Sequence, residues 1–214
     1  MSVVRTVELD IGGKSLLEIE IAQSLEGQVS EVVWDASLVT LHYLARLERL
    51  NPSFFQGRRV LELGAGTGIV SITLAKLGAH VLASDLPDCL QLLKANAERN
   101  CCGDEMKVAA LRWGCQEDYP SQAPQLIIAV DCIYYHESLL PLLETMRGLS
   151  GKETEILCVY EERDVGQPRE VQKRFLQDIQ SMFMVLEVPQ EEQDPVYSSP
   201  DIHILKLRIK SGGE

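Results

Sequence analysis

Arg59-Val60-Leu61-Glu62-Leu63-Gly64-Ala65-Gly66-Thr67-Gly68-Ile69-Val70 is the stretch from which the rest of the chain can be read. Val60, Leu61 and Leu63 form the short apolar run expected of a buried central strand. Gly64, Gly66 and Gly68 let the backbone turn sharply and approach a ligand without a Cβ in the way. A helix is predicted over 67–77, with Ile69, Val70, Ile72, Thr73 and Leu77 as its apolar stripe. Its first N–H groups would point at whatever sits on the turn.

Glycine spacing separates two cofactor classes. A dinucleotide site places glycines at the first, third and sixth positions. Here they fall at the first, third and fifth, and the sixth is Ile69. With Glu62 two residues ahead, the pattern Glu-x-Gly-x-Gly-x-Gly resembles motif I of the seven-strand, S-adenosylmethionine-dependent methyltransferases. The resemblance implies that the Glu62 carboxylate reaches the ammonium end of the methionine moiety. A tight turn without a ligand is the plain alternative.

Outward from this stretch, strand and helix patterns alternate. The pattern predicts strands at 59–63, 80–84, 106–112, 125–130 and 155–160, with helices at 67–77, 87–100, 137–148 and 168–183. Gly78 is a C-terminal cap, and Pro87 suits a helix start. Strands at 184–188 and 202–209 have no helix between them and predict an antiparallel edge pair. Repeated strand-helix units imply an α/β fold: a doubly wound, seven-stranded, mostly parallel sheet. Residues 3–9 and 15–21 alternate around a glycine turn and predict a hairpin. A short strand at 29–33 and a helix at 36–50, capped by Asp35, follow. The expected organisation is one domain over 1–214, with a β-α appendage at 1–50 and a cofactor-binding core at 51–214.

At 214 residues, with 45% hydrophobic and 24% charged, the composition is that of a soluble globular protein. No apolar run approaches the roughly 20 residues of a membrane span, and the N-terminus lacks a signal-peptide pattern. Six cysteines without a CxxC pair read as reduced thiols of a cytoplasmic, or also nuclear, protein rather than a zinc site. The net charge of −12 repels phosphate backbones and suits a basic substrate surface. A monomer with no bound metal, nucleic acid or membrane is expected.

Ligands of such sheets bind beyond the C-terminal ends of the strands, where four features converge. The first is the turn at 64–68. Asp85, 21 positions after Gly64, suits ribose hydroxyls, or else caps the helix at Pro87. Trp113 offers a ring to adenine, or else fills the core. Asp131 opens Asp131-Cys132-Ile133-Tyr134-Tyr135, whose carboxylate and aromatics suit a cationic amine such as lysine; the alternative is a cap and two packed rings. Neutralising a lysine of pKa near 10.4 at pH 7 costs about 4–5 kcal/mol. A nearby carboxylate favours the charged form, so Asp131 is expected to orient the amine and help accept its proton.

Trp34-Asp35-Ala36, the glycine stretch, Ser84-Asp85-Leu86, Arg112-Trp113-Gly114 and Asp131-Cys132-Ile133-Tyr134-Tyr135 together resemble the seven-strand protein-lysine methyltransferases with an Asp-x-x-Tyr motif. The resemblance runs from about residue 29 to 209. It implies S-adenosylmethionine as cofactor and S-adenosylhomocysteine as product. It implies Trp34, Glu62, Gly64, Ala65, Gly66, Asp85, Trp113 and Val130 at the cofactor, Val130 standing where alanine is usual. It implies Asp131 and Tyr134 in the motif's role, with Tyr135 beside them. Tyr160, Glu161 and Arg163 are substrate-side candidates or an exposed charged loop, and His136 is given no role. Glu137-Ser138-Leu139, Tyr160-Glu161 and Asp201-Ile202-His203-Ile204 resemble the member acting on the valosin-containing AAA ATPase. That implies trimethylation of one lysine on this partner.

Three rivals remain. The first is a methyltransferase acting on another protein, a small molecule or nucleic acid; the charge argues against nucleic acid, and the 131–135 stretch argues for an amine. A binding module that has lost its cofactor is disfavoured by the intact Glu62, glycines, Asp85 and Trp113. An NAD(P)-linked oxidoreductase is disfavoured by Ile69, by the absence of a convincing Tyr-x-x-x-Lys pair and by the final strand pair.

Overall fold

A computed structural model describes residues 2–13, 16–164 and 166–210. Its seven-stranded sheet runs in the order β5 (Met106–Ala110), β4 (His80–Asp85), β3 (Arg59–Leu63), β6 (Leu126–Val130), β7 (Glu155–Glu161), β9 (Ile202–Ile209), β8 (Phe183–Glu187). The first five are parallel, and β9 is antiparallel to both β7 and β8. This is the predicted class I methyltransferase architecture, including its final strand pair.

Side chains alternate across the sheet as strand geometry requires. Val60, Val81, Ile128 and Val159 face one core with α1 (Asp35–Leu50), α2 (Ile69–Lys76) and α3 (Leu90–Arg99). Leu61, Leu63, Ile127 and Cys158 face the other with α4 (His136–Leu149) and α5 (Gly166–Met182). The predicted stripe on α2 is exceeded: Ile69 to Ala75 are all buried. The reason is the hairpin of β1 (Ser2–Asp10) and β2 (Leu16–Ser24), which pairs antiparallel and packs outside α1, α2 and α3. Lys14 and Ser15 of the predicted hairpin lie outside the described residues.

Three local expectations are corrected. Residues 29–33 form no strand; Val29–Glu31 is a 3-10 turn whose Glu31 N–H donates to Gln28 O at 2.9 Å, so its backbone bonding is local. Asp35 does not cap α1; it is the first helical residue, and Trp34 holds the cap position without its side chain bonding the helix's N–H groups. The helix predicted at 87–100 starts as a 3-10 turn, Pro87–Cys89, before α3.

Two asparagines one turn apart, Asn96 on α3 and Asn100 at its C-terminal cap, grip β2. Asn96 accepts from Ala22 N–H at 2.9 Å and donates to Ala22 O at 3.0 Å; Asn100 accepts from Glu20 N–H at 3.0 Å and donates to Glu20 O at 2.7 Å. Four helical residues rise about 6 Å and two strand residues about 6.6 Å, so the two side chains meet alternate residues of the strand. Asn96 also donates to Thr67 O at 2.9 Å, inside the glycine turn. Asn96→Ala would leave three backbone groups unpaired, the Thr67 carbonyl buried and the two of Ala22 part-buried, and should cost about 2–4 kcal/mol in urea unfolding. Asn100→Ala, which spares Thr67, should cost less; equal losses would mean that the tie to the glycine turn contributes nothing.

Candidate active site

The turn after β3 has the left-handed backbone that glycine permits, with φ of 67° at Gly64, 54° at Gly66 and 82° at Gly68. It is closely overlaid. A Cβ on Gly64 would fall 2.9 Å from Cys132 Sγ and 3.2 Å from the Trp113 ring. One on Gly66 would fall 3.0 Å from Ser30 O, in the 3-10 turn. Ala65 is buried, and its N–H donates to Ser84 O at 3.0 Å, tying the turn to β4.

Asp85 ends β4, half-buried, and organises the same turn. Its Oδ2 accepts from Gly66 N–H and its Oδ1 from Leu86 N–H, both at 2.7 Å. A carboxylate has about four acceptor positions, so capacity remains for further donors. Trp113 is half-buried, packed on one core and against Gly64. Val130 is buried within the core that α1 covers.

Glu62 lies deeper than the sequence suggests. Alternation puts it on the Val60 face, under α2, where Ser71 Oγ donates to Glu62 Oε2. It is 2% exposed, and burial raises its pKa to about 8 against the Ser71 bonds that lower it. Ser71 escaped the sequence reading, although a serine among Ile69, Val70, Ile72 and Leu74 on a buried helix was the available signal.

Asp131 follows β6 in the left-handed region, φ 53°, a conformation that aspartate tolerates better than most residues. Its N–H donates to Val159 O at 2.7 Å. Its Oδ1 accepts from Glu161 N–H at 3.4 Å, and its Oδ2 lies 3.3 Å from Arg163 Nη2. Burial raises its pKa; Arg163 and the Glu161 N–H oppose the rise. Tyr134 is half-buried, its phenol pushed well up by burial, and its ring meets Tyr135 edge-on at 4.5 Å. Tyr135 is exposed, and so is His136. Trp34, 39% exposed, donates from Nε1 to Val29 O at 2.8 Å and lies 6.0 Å beneath the Arg163 guanidinium. The substrate-side candidates divide: Glu161 and Arg163 join Asp131, whereas Tyr160 is buried against Phe175.

The C-terminal ends of the parallel strands thus gather a glycine turn, an Asp85 clamp, an aromatic ring and a half-buried carboxylate facing a cation. A lysine methyltransferase family profile matches residues 14–182. The chain belongs to this family. It is 35% identical to Protein N-lysine methyltransferase METTL21A of Danio rerio over 87% of this chain and 81% of that protein. It is 32% identical to EEF1A lysine methyltransferase 3 of Xenopus tropicalis over 78% and 71%. Among solved structures it resembles the mitomycin 7-O-methyltransferase MmcR, with a TM-score of 0.61 and 10% identity over 80% of this chain and 54% of that one. It also resembles a TehB-like SAM-dependent methyltransferase from Corynebacterium glutamicum, at 0.55 and 16% over 79% and 88%. This lysine methyltransferase therefore carries the fold and the family that its motifs predict.

The Glu62 shift has a signed consequence. Between the ordinary 4.5 and about 8, the folded chain keeps a proton that the unfolded chain loses. Stability therefore falls as pH rises through that window, by up to about 1.4 kcal/mol per unit, and levels off above it. Glu62→Gln should lose this dependence: its unfolding free energy relative to wild type should climb from pH 5 to 8 and then flatten. A constant difference would show that Glu62 titrates normally.

Proposed function

We propose that this lysine methyltransferase transfers methyl groups from S-adenosylmethionine to the ε-amine of a protein lysine and releases S-adenosylhomocysteine. The observation that carries this reading is Asp131: a half-buried carboxylate at the end of β6, close to Tyr134 and already facing a cation, Arg163, whose guanidinium lies over Trp34.

The residues present suit the cofactor. Asp85 offers its remaining acceptor positions to ribose hydroxyls, Trp113 offers its ring to adenine, and Gly64, Ala65 and Gly66 allow close backbone approach. Trp34 and Val130 complete the proposed binding set. Glu62 acts from beneath the turn, as a buried acid that a cationic cofactor would ionise. The bound cofactor supplies an electrophilic methyl group. The chain's own residues then hold the amine in line and keep water from it. Asp131 draws in the ammonium and orients it, and it helps take the proton whose removal costs about 4–5 kcal/mol at pH 7. Tyr134 and Tyr135 present aromatic edges and faces to the lysine head.

For the substrate, the likeness at residues 137–139, 160–161 and 201–204 favours one lysine of the valosin-containing AAA ATPase, carried to trimethyl-lysine. A second reading, EEF1A, is favoured by the similarity to a methyltransferase named for that protein. The reading includes a monomer in the cytoplasm, where six free cysteines suit a reducing environment.

Radiolabelled S-adenosylmethionine, offered with each purified protein and followed by mass spectrometry, tests it. Label on one lysine of the ATPase is expected; label on EEF1A alone would reassign the substrate, and none on either would sink both assignments. Asp131→Asn should lower kcat by about a hundredfold or more while cofactor affinity holds. Asp85→Ala should weaken cofactor binding about ten- to a hundredfold, read by calorimetry.

A further inference from the structure

Carboxylates crowd around one guanidinium where β6 and β7 end. Arg163 Nη2 lies 2.8 Å from Glu161 Oε2 and 3.3 Å from Asp131 Oδ2. Asp35, at the start of α1, acts on both of these carboxylates, and Asp201 also feels Arg163. In the turn after β6, Tyr134 and the buried Cys132 feel the Asp131 charge as neutral groups.

The arrangement holds the main chain firmly and the side chain loosely. Arg163 N–H donates to Gln172 Oε1 at 3.0 Å, and Gln172 Nε2 donates to Glu161 O at 2.7 Å, which pins the turn onto α5. The Arg163 side chain, by contrast, is 34% exposed. One nitrogen serves both carboxylates, so neither pair has the two-point geometry that makes an arginine–carboxylate contact strong. Asp131, at 14% exposure, is far more enclosed, and an enclosed carboxylate is costly without a cation. The free protein therefore supplies a cation of its own at the point where Asp131 is to receive one.

From this geometry we infer that Arg163 is a displaceable stand-in for the substrate's ammonium: its guanidinium holds the place against Asp131 and Glu161 that the lysine head takes, and substrate binding exchanges one cation for the other. The inference rests on the reading that Asp131 receives the lysine. It makes Arg163 a positioning residue that selects cationic amines, because a neutral entering group gives Asp131 no replacement for the charge it must release. Mono- and dimethyl-lysine remain N–H-bearing cations and continue to compete. Trimethyl-lysine has no N–H left to donate, so Arg163 regains its place and the product leaves.

The test uses n-butylammonium as a lysine-head probe on the whole chain. Its readout is the 13C signal of the Asp131 carboxyl, assigned by comparison with Asp131→Asn. Half-saturation should fall about three- to tenfold in Arg163→Ala and Arg163→Gln, and return toward wild type in Arg163→Lys. With protein substrate, KM should fall by a similar factor and kcat should change less. The acid limb of kcat/KM should move to higher pH, since Asp131 has lost the cation that opposed its protonation. Equal half-saturation in wild type and both neutral variants, no response of Asp131 to the probe, or a raised KM in Arg163→Ala would overturn the inference. A wild-type chain that methylates no lysine would instead sink the function reading, while the amine titration would still decide the role of Arg163.

Discussion

The placement of β3 between β4 and β6 is the constraint on which the rest depends. The chain winds outward from β3 through β4 to β5 and then returns to the other side of β3. Successive connections therefore leave the strand ends in opposite directions, and a crevice opens there. Parallel pairing brings all of these C-terminal ends to one edge. The glycine turn, Asp85, Trp113 and Asp131 meet for that reason, although up to 67 positions separate them.

Three carboxyl groups in this region show three ways of tolerating a position partly shut off from water. Glu62 lies buried, its pKa raised to about 8 by that burial, and accepts a hydrogen bond from Ser71 Oγ. Asp85 takes two backbone N–H donors. Asp131 takes a guanidinium. Each solution suits a different task. A neutral acid underlies the turn without repelling its neighbours, a bonded carboxylate fixes the backbone, and an ion pair leaves a carboxylate that another cation can reach.

Much of this was legible because strand ends follow from short-range patterns. Val60 to Leu63 with the glycines announces both a strand and its turn, and the spacing to Asp85 follows from one helix and one strand. The apolar runs at 126–130 and 155–161 place Asp131 and Glu161 side by side. What the sequence hid depends on long-range approach. Nothing local says that Glu62 meets Ser71, since that needs the strand's facing and the seat of α2 together. Nor does local pattern say that Trp34 reaches Arg163, or that residues 29–31 fold over Gly66 instead of extending. The apolar periodicity of α2 misleads for the same reason: only the hairpin arriving from far along the chain buries its outer side.

Asn96 and Asn100 recognise the hairpin entirely through main-chain groups of Glu20 and Ala22. Such recognition ignores side-chain identity but counts residues. The outward-facing positions of β2 can drift freely in evolution, while loss or gain of a single residue between the hairpin turn and Ala22 would reverse the strand's facing and present the wrong N–H and C=O groups. The hairpin should accordingly vary widely in composition among relatives and hardly at all in length on that side.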